Sequence, residues 1–343
     1  MKLENRPPVY YSEYLQLDKI LNAQELESKK EGIKADDEML FIIIHQSYEL
    51  WFKQILHEVN IIRDIFKQPN VADNSPDIFN INTRLDRVIL ILEMLVSKLT
   101  ILETMSPLDF LDFRDLLRPA SGFQSIQFKI LEASLGLEYT SRHGQQYYIS
   151  QLNEGDIKRV KDAEKEESLI VLLNGWLERM PFASDKRYWN SEEEFWTLYR
   201  DTYSNSLLDS EKTNLEAFDS IFGSQEKSLE GHRLSPLAMK NALFILLYRD
   251  YPLLQLPFEI LDKLLQVDEQ MSMWRYRHVH MVQRAIGKRV GTGGSTGAGY
   301  LRAAAESHVV FRELAELNSF LVARRDLPEL PETLKNDISF GRK

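Results

Sequence analysis

Apolar side chains recur along this chain at steps of three and four residues, the period of an α-helix with one face turned inward. After Asp36-Asp37-Glu38, acids that favour a helix N-terminus, Leu40, Ile44, Tyr48, Trp51, Ile55, Val59 and Ile62 form one such stripe. A second runs from about Ile78 to Ile101 through Ile81, Leu85, Val88, Leu92, Leu95 and Leu99. Apolar texture returns at Leu237 to Tyr251, and a further helix is predicted from about Phe258 through Gln283. No stretch alternates at the period of a strand and none repeats, so the predicted fold class is all-α.

The flanking segments read differently. Residues 1–35 look like an arm with a short helix. Pro7-Pro8 stiffens its start, and Val9, Tyr10, Tyr11 and Tyr14 lie in a stretch too short to form its own core. Such rings either cover the chain's own body or dock onto a partner. Between about 150 and 235, runs such as Lys161-Asp162-Ala163-Glu164-Lys165-Glu166-Glu167 and Ser191-Glu192-Glu193-Glu194 are solvated helical faces. They predict a peripheral helical insertion within a single domain spanning 36–343.

Composition narrows the chemistry. At 343 residues with 43% hydrophobic and 27% charged positions, the chain has the profile of a soluble globular protein. A net charge of -10 argues against nucleic acid or anionic lipid as the main partner. The absence of cysteine excludes disulfides, thiolate zinc sites, iron–sulfur clusters and thiolate-ligated haem. Any transition metal falls to the carboxylates and the seven histidines. No apolar run approaches the length of a membrane span, and Met1-Lys2-Leu3-Glu4-Asn5 carries no signal region. A cytoplasmic location is expected.

Three segments set unusual polar groups inside apolar, helix-patterned surroundings. In Phe41-Ile42-Ile43-Ile44-His45, Phe41 and His45 share a face next to the main stripe. His45 is there either an ordinary core histidine bonded to a carbonyl or an imidazole facing a cavity. His57-Glu58 opens like a zinc-protease helix but lacks the second histidine. In the second segment Phe110 and Arg114 share a face before the Pro119-Ala120-Ser121-Gly122 loop. An arginine beside an aromatic ring suits a planar ligand bearing a carboxylate, and an ion pair with Asp112 or Asp115 is the bland alternative. In the third, Trp274, His278, Met281, Val282 and Ala285 fall on one helical face, while His280 lies about 200° from His278. One imidazole on an apolar, aromatic-rich face is what a haem proximal site requires, although core histidines share that pattern. The helix is followed by Gly287 to Gly299, with six glycines in thirteen residues. This stretch matches neither phosphate-binding glycine pattern. Its amides and Thr292 could receive a carboxylate or orient an ammonium group.

The strings FIIIHQSYELWFKQIL, LETMSPLDFLDFRDLLRPASGFQSIQF, WRYRHVHMVQR and GTGGSTGAGYLR resemble, in this order, the signatures of the tryptophan 2,3-dioxygenase family. The likeness covers nearly the whole chain and is loosest from about 150 to 230. It implies a helical bundle enclosing a b-type haem, one per subunit, with His278 as the iron ligand and Ser121, Trp274 and Val282 around the macrocycle. It further implies L-tryptophan and O2 as substrates. Arg114 would hold the substrate carboxylate, Thr292 its ammonium and carboxylate, and His45 the indole N–H, with Phe41 and Phe110 lining the ring pocket. Tyr11 and Tyr14 would reach a neighbouring subunit's site in a homotetramer. Arg118 departs from the pattern where a smaller residue is expected. So do Arg277 and His280, where animal relatives carry Asn and Cys. A haem oxygenase for another indole, or a haem or tryptophan sensor without turnover, are the rival functions.

Overall fold

A computed structural model describes residues 7–69, 76–137, 152–191, 194–224, 228–287, 289 and 308–339. Among these residues there are helices and turns and no strand. The arm holds three short helices, α1 (Tyr11–Leu15), α2 (Leu17–Leu21) and α3 (Glu27–Lys30). The long α4 (Glu38–Phe66) and α5 (Pro76–Leu102) follow, then α6 (Pro107–Arg114) and α7 (Ile126–Leu135). Next come α8 (Glu154–Lys165), α9 (Leu169–Glu178), α10 (Glu194–Ser206), α11 (Thr213–Phe222) and α12 (Pro236–Leu247). The chain closes with α13 (Pro252–Ile286), α14 (Arg312–Glu316) and α15 (Glu332–Asp337).

The stripes read from the sequence are buried over most of their length, with Leu40 and Trp51 half-buried and Ile101 exposed. Ile78, Ile81, Leu85, Val88, Leu92, Leu95 and Leu99 of α5 are all buried, against α4 on one side and α13 on the other. On α4 the buried line is Ile44, Tyr48, Phe52, Ile55, Val59 and Ile62, with Trp51 at its edge. Glu58 lies within that buried face, 1% exposed, and accepts from Arg84 and Arg87 of α5 at 2.6 and 2.7 Å. Burial alone would raise its carboxyl pKa, and the two guanidiniums outweigh that and hold it below the ordinary value.

Local signals set the helix ends near the site. Ser106 and Asp109 form a reciprocal capping box that starts α6, with Pro107 in its first turn. Glu38 opens α4, yet its buried carboxylate accepts from the backbone N–H groups of Glu27 and Ser28 at 2.8 and 3.0 Å. This acid therefore caps α3 and ties the arm to α4. The helix predicted from Phe258 begins six residues earlier, at Pro252, and carries Pro257 inside it. Pro257 and Leu254 are both buried, so packing offsets the hydrogen bond a proline cannot donate. Within the stretch marked by charged runs, α8 buries only Val160. By contrast α9 packs on α4, α7 and α12, placing Leu169, Ile170, Leu173, Trp176 and Leu177 in the same continuous core.

Candidate functional site

α4, α6, α7 and α13 converge on one aromatic region. Phe41 of α4 stacks on Phe110 of α6 at 5.6 Å between centroids and meets Phe113 edge-on at 5.6 Å. Its ring lies 4.1 Å from that of His45. On the opposite helix, Trp274 lies 19° from coplanar with His278, at 5.1 Å. Trp274 is itself wedged against Phe52 of α4 and Phe128 of α7. Phe41, His45, Phe110, Phe128, Trp274 and His278 are each half-buried.

The two histidines differ in their hydrogen bonding. His45 Nδ1 lies 2.7 Å from the Phe41 carbonyl oxygen. A carbonyl only accepts, so Nδ1 carries the proton. Burial lowers the His45 pKa, against the smaller opposing effects of that carbonyl and of Glu49. The ring is then neutral, with Nε2 as a hydrogen-bond acceptor. His278 Nδ1 is shut off from solvent and has no hydrogen-bond partner among the described residues. Burial, with a smaller contribution from His45, pushes the His278 pKa down to about 4. With both pKa values lowered by burial, both imidazoles are neutral near pH 7. A neutral imidazole is the form that binds a metal.

α13 separates two kinds of surface at this level. Met271, Arg275 and Val279, four residues apart, are fully buried, whereas Trp274, His278, Met281, Val282 and Ala285 form a half-buried flank. The face predicted to carry His278 is therefore the one turned toward the aromatic region. His280 is exposed and sits edge-on to the Tyr276 ring at 4.5 Å. Arg277 pairs with Glu103 at 3.2 Å.

Arg114 ends α6 one turn after Phe110 and is 4% exposed. Asp115 makes a long ion-pair contact with it at 4.0 Å and a closer one with the exposed Arg118 at 3.2 Å. Asp112 is exposed. Ser121 caps the short turn Gly122–Gln124, its hydroxyl accepting from the Phe123 N–H. Tyr11 and Tyr14 are 74% and 75% exposed, so neither is covered by the body of its own chain. Thr292 lies outside the described residues.

Two features escaped the sequence reading. Phe113, fully buried, backs both Phe41 and Phe110. Arg275 reads as one of several charges around His278, yet it is 4% exposed and pairs with Glu132 of α7 at 2.8 Å. Its position one turn from both Met271 and Val279 was the available signal. A separate leucine-walled cavity of about 260 Å³ lies between α12, α13 and α14, lined by Phe258, Leu261, Leu265, Leu314 and Leu317. None of the predicted site residues borders it. Among the described residues no three His, Asp or Glu side chains cluster as a metal site, and no helix is long and apolar enough to cross a membrane.

The family model for tryptophan 2,3-dioxygenase matches residues 2–321. The tryptophan 2,3-dioxygenase of Alteromonas mediterranea is 41% identical, over 98% of this chain and 99% of its own. That of Dictyostelium discoideum is also 41% identical, covering 97% and 88%. The Rattus norvegicus enzyme of the same name is 39% identical, covering 93% and 84%. Identity of that extent spans α4, α6, α7 and α13 alike, so the helices that build the aromatic region and those that frame it match together, and the chain belongs to the tryptophan 2,3-dioxygenase family.

Proposed function

We propose that this chain cleaves the indole C2–C3 bond of L-tryptophan with dioxygen, giving N-formylkynurenine, and that it does so with a b-type haem held by His278. Family membership over nearly the whole chain carries the reading. The residues present fit the cofactor. His278 is a neutral imidazole with its Nδ1 shut off from solvent, it lies beside Trp274 on a half-buried apolar flank that includes Val282, and no cysteine competes as ligand. Ser121 stands at the loop expected to meet the macrocycle edge. When bound, ferrous haem supplies the activation of dioxygen, and the protein supplies position and a dry pocket.

The work of the chain is orientation. Arg114, buried at the end of α6, receives the substrate carboxylate, helped by Thr292, which also contacts the ammonium group. Phe41 and Phe110, stacked on each other, line the indole ring pocket. The proton on His45 Nδ1 leaves Nε2 to accept from the indole N–H. The indole nitrogen is so weak an acid that this bond orients the ring and requires no base. Two fixed ends place the C2–C3 bond where the reaction occurs.

Tyr11 and Tyr14, left uncovered by their own chain, fit the role of closing a neighbour's pocket in a homotetramer. The domain reading is an arm over 1–35 that docks on a neighbouring subunit and one catalytic domain over 36–343 with a peripheral helical insertion near 150–235, of which Leu169–Glu178 packs into the main core. A cytoplasmic location suits a protein without cysteine. Purified protein given L-tryptophan and isotopic dioxygen tests the reading by product mass. Formylkynurenine carrying two labelled oxygens is expected. A product with one labelled oxygen, or haem binding without turnover, would overturn it.

A further inference from the structure

The charged side chains buried beside the proximal helix have no part in the reaction described above. Arg275 of α13 and Glu132 of α7 are 4% and 5% exposed and lie 2.8 Å apart. A second guanidinium nitrogen of Arg275 donates to the His308 carbonyl at 2.9 Å. The Phe128 ring packs 5.8 Å from the guanidinium carbon. The planar head group is thus held by two separate stretches of chain, α7 and the segment at His308. Two turns earlier on the same helix, the Asp268 carboxylate accepts from the backbone N–H of Val310 at 3.0 Å and from that of Phe311.

A buried ion pair contributes little to stability compared with well-packed apolar residues of similar size, because desolvation cancels most of the attraction. What it adds is direction, since a bidentate-capable fork and two fixed acceptors tolerate little rotation. The ring contacts of Trp274 with Phe52, Phe128 and Tyr48 fix its place but demand direction less strictly than a charged fork bonded to two acceptors. Arg275 precedes His278 by three residues, about 60° around the helix and roughly 4.5 Å along it. Whatever fixes the azimuth of Arg275 fixes that of His278.

We propose that the Glu132–Arg275 ion pair, locked by the His308 carbonyl, is a positioning device that sets the rotation of α13 and so aims the His278 imidazole. Arg275 and Glu132 are positioning residues, and the proposal rests on the reading of His278 as the iron ligand. Glu132 belongs to α7, which packs on α4, the helix of His45. The pair therefore ties the two imidazole-bearing helices into one frame.

The test replaces both charges together, Glu132→Gln with Arg275→Met, so that neither charge is left buried alone and the buried His308 Nδ1, 3.5 Å from the Glu132 carboxylate, keeps a polar neighbour. Three measurements are taken on the full chain: thermal unfolding without haem, the iron–histidine stretching band of the ferrous holoenzyme, and the rate of haem transfer to an apoglobin. The expected result is a folded double variant with parental unfolding temperature. Its iron–histidine band is shifted or broadened, and haem is lost roughly 10- to 100-fold faster, the usual cost of removing support behind a metal ligand. A double variant with the parental band and parental haem retention overturns the proposal. So does one that fails to fold, since the pair would then serve the fold and not the histidine. If the parent protein itself shows no iron–histidine band, it is the assignment of His278 that fails.

Discussion

Two aromatic clusters in this protein use the same residue types and end differently. Around α10, α11 and α12, Phe195, Trp196, Tyr199, Tyr203, Phe218, Phe222, Phe244 and Tyr248 are all 6% exposed or less. Every tyrosine there satisfies its hydroxyl: Tyr199 donates to Phe320, Tyr203 to Ser319 and Tyr248 to Pro328, at 2.7 to 2.9 Å and always to a backbone carbonyl. Around α4, α6 and α13, the rings of Phe41, His45, Phe110, Trp274 and His278 are half-buried, and His278 Nδ1 has no partner among the described residues. The first cluster is finished as a core. The second carries surface of the kind a ligand covers, with a few polar atoms aimed at it. Aromatic content does not separate a core from a site; closure and polar satisfaction do.

That contrast can be broken most sharply at His278. His278→Ala should abolish stoichiometric haem while leaving the apoprotein's stability near parental, and His280→Ala, altering an exposed ring, should keep haem. Haem-to-protein ratios check this, and a haem-free His280 variant would reverse the assignment. In the closed cluster the effect should appear in stability alone. Phe195→Ala should cost about 3–5 kcal/mol of folding free energy, the range for a fully buried aromatic ring. The folded fraction should keep a parental haem spectrum. An altered spectrum would mean that the two clusters are not independent.

Within the open cluster, Arg114→Leu should still bind haem and lose about 2–4 kcal/mol of transition-state binding, tens- to several-hundredfold in kcat/KM. It should also discriminate less against tryptamine, which lacks the carboxylate. Unchanged selectivity would point to Arg118. For His45, activity follows the neutral ring, and its lowered pKa puts the acid limb of kcat/KM below the ordinary histidine value of about 6.5. His45→Asn should lower the rate and remove that limb, and a limb that persists would belong to another group. The smallest effect should come from deleting residues 1–16. Because Tyr11 and Tyr14 are exposed on their own chain, thermal stability of the subunit should hold while KM for tryptophan rises several-fold. Mixing arm-deleted chains with full-length His278→Ala chains should restore activity if arm and haem come from different subunits. No recovery despite proven mixing would end the shared-site reading.

The helical stripes of α4 and α5 were legible because a core face repeats locally, and Ile78 through Leu99 of the α5 stripe are buried, with Ile101 at its end exposed. The shared face of Phe41 with His45, and of Phe110 with Arg114, followed from the same period. What periodicity could not show was which polar groups have distant partners. Glu38 reads as a dipole-favouring acid and is in fact the cap of α3. Arg275 finds Glu132 across 143 residues of sequence, a separation no local pattern encodes. The charged runs after 150 likewise drew attention away from Leu169–Glu178, whose apolar side chains sit in the main core.

The packing of α5 against α13 also has a consequence for synthesis. The last residue of α5 is Leu102, and α13 starts only at Pro252, 150 residues later. At roughly 5–20 residues per second on a ribosome, the apolar face of α5 waits about 8–30 s for the helix that covers it. His45 and His278 are farther apart still, so a nascent chain cannot assemble both sides of the site until His278 has been made. A haem held by His278, as proposed above, would therefore be captured only after α13 is made. A chain stalled before α13 offers an uncovered helical hairpin to chaperones and to other nascent chains, with no cofactor to hold it closed.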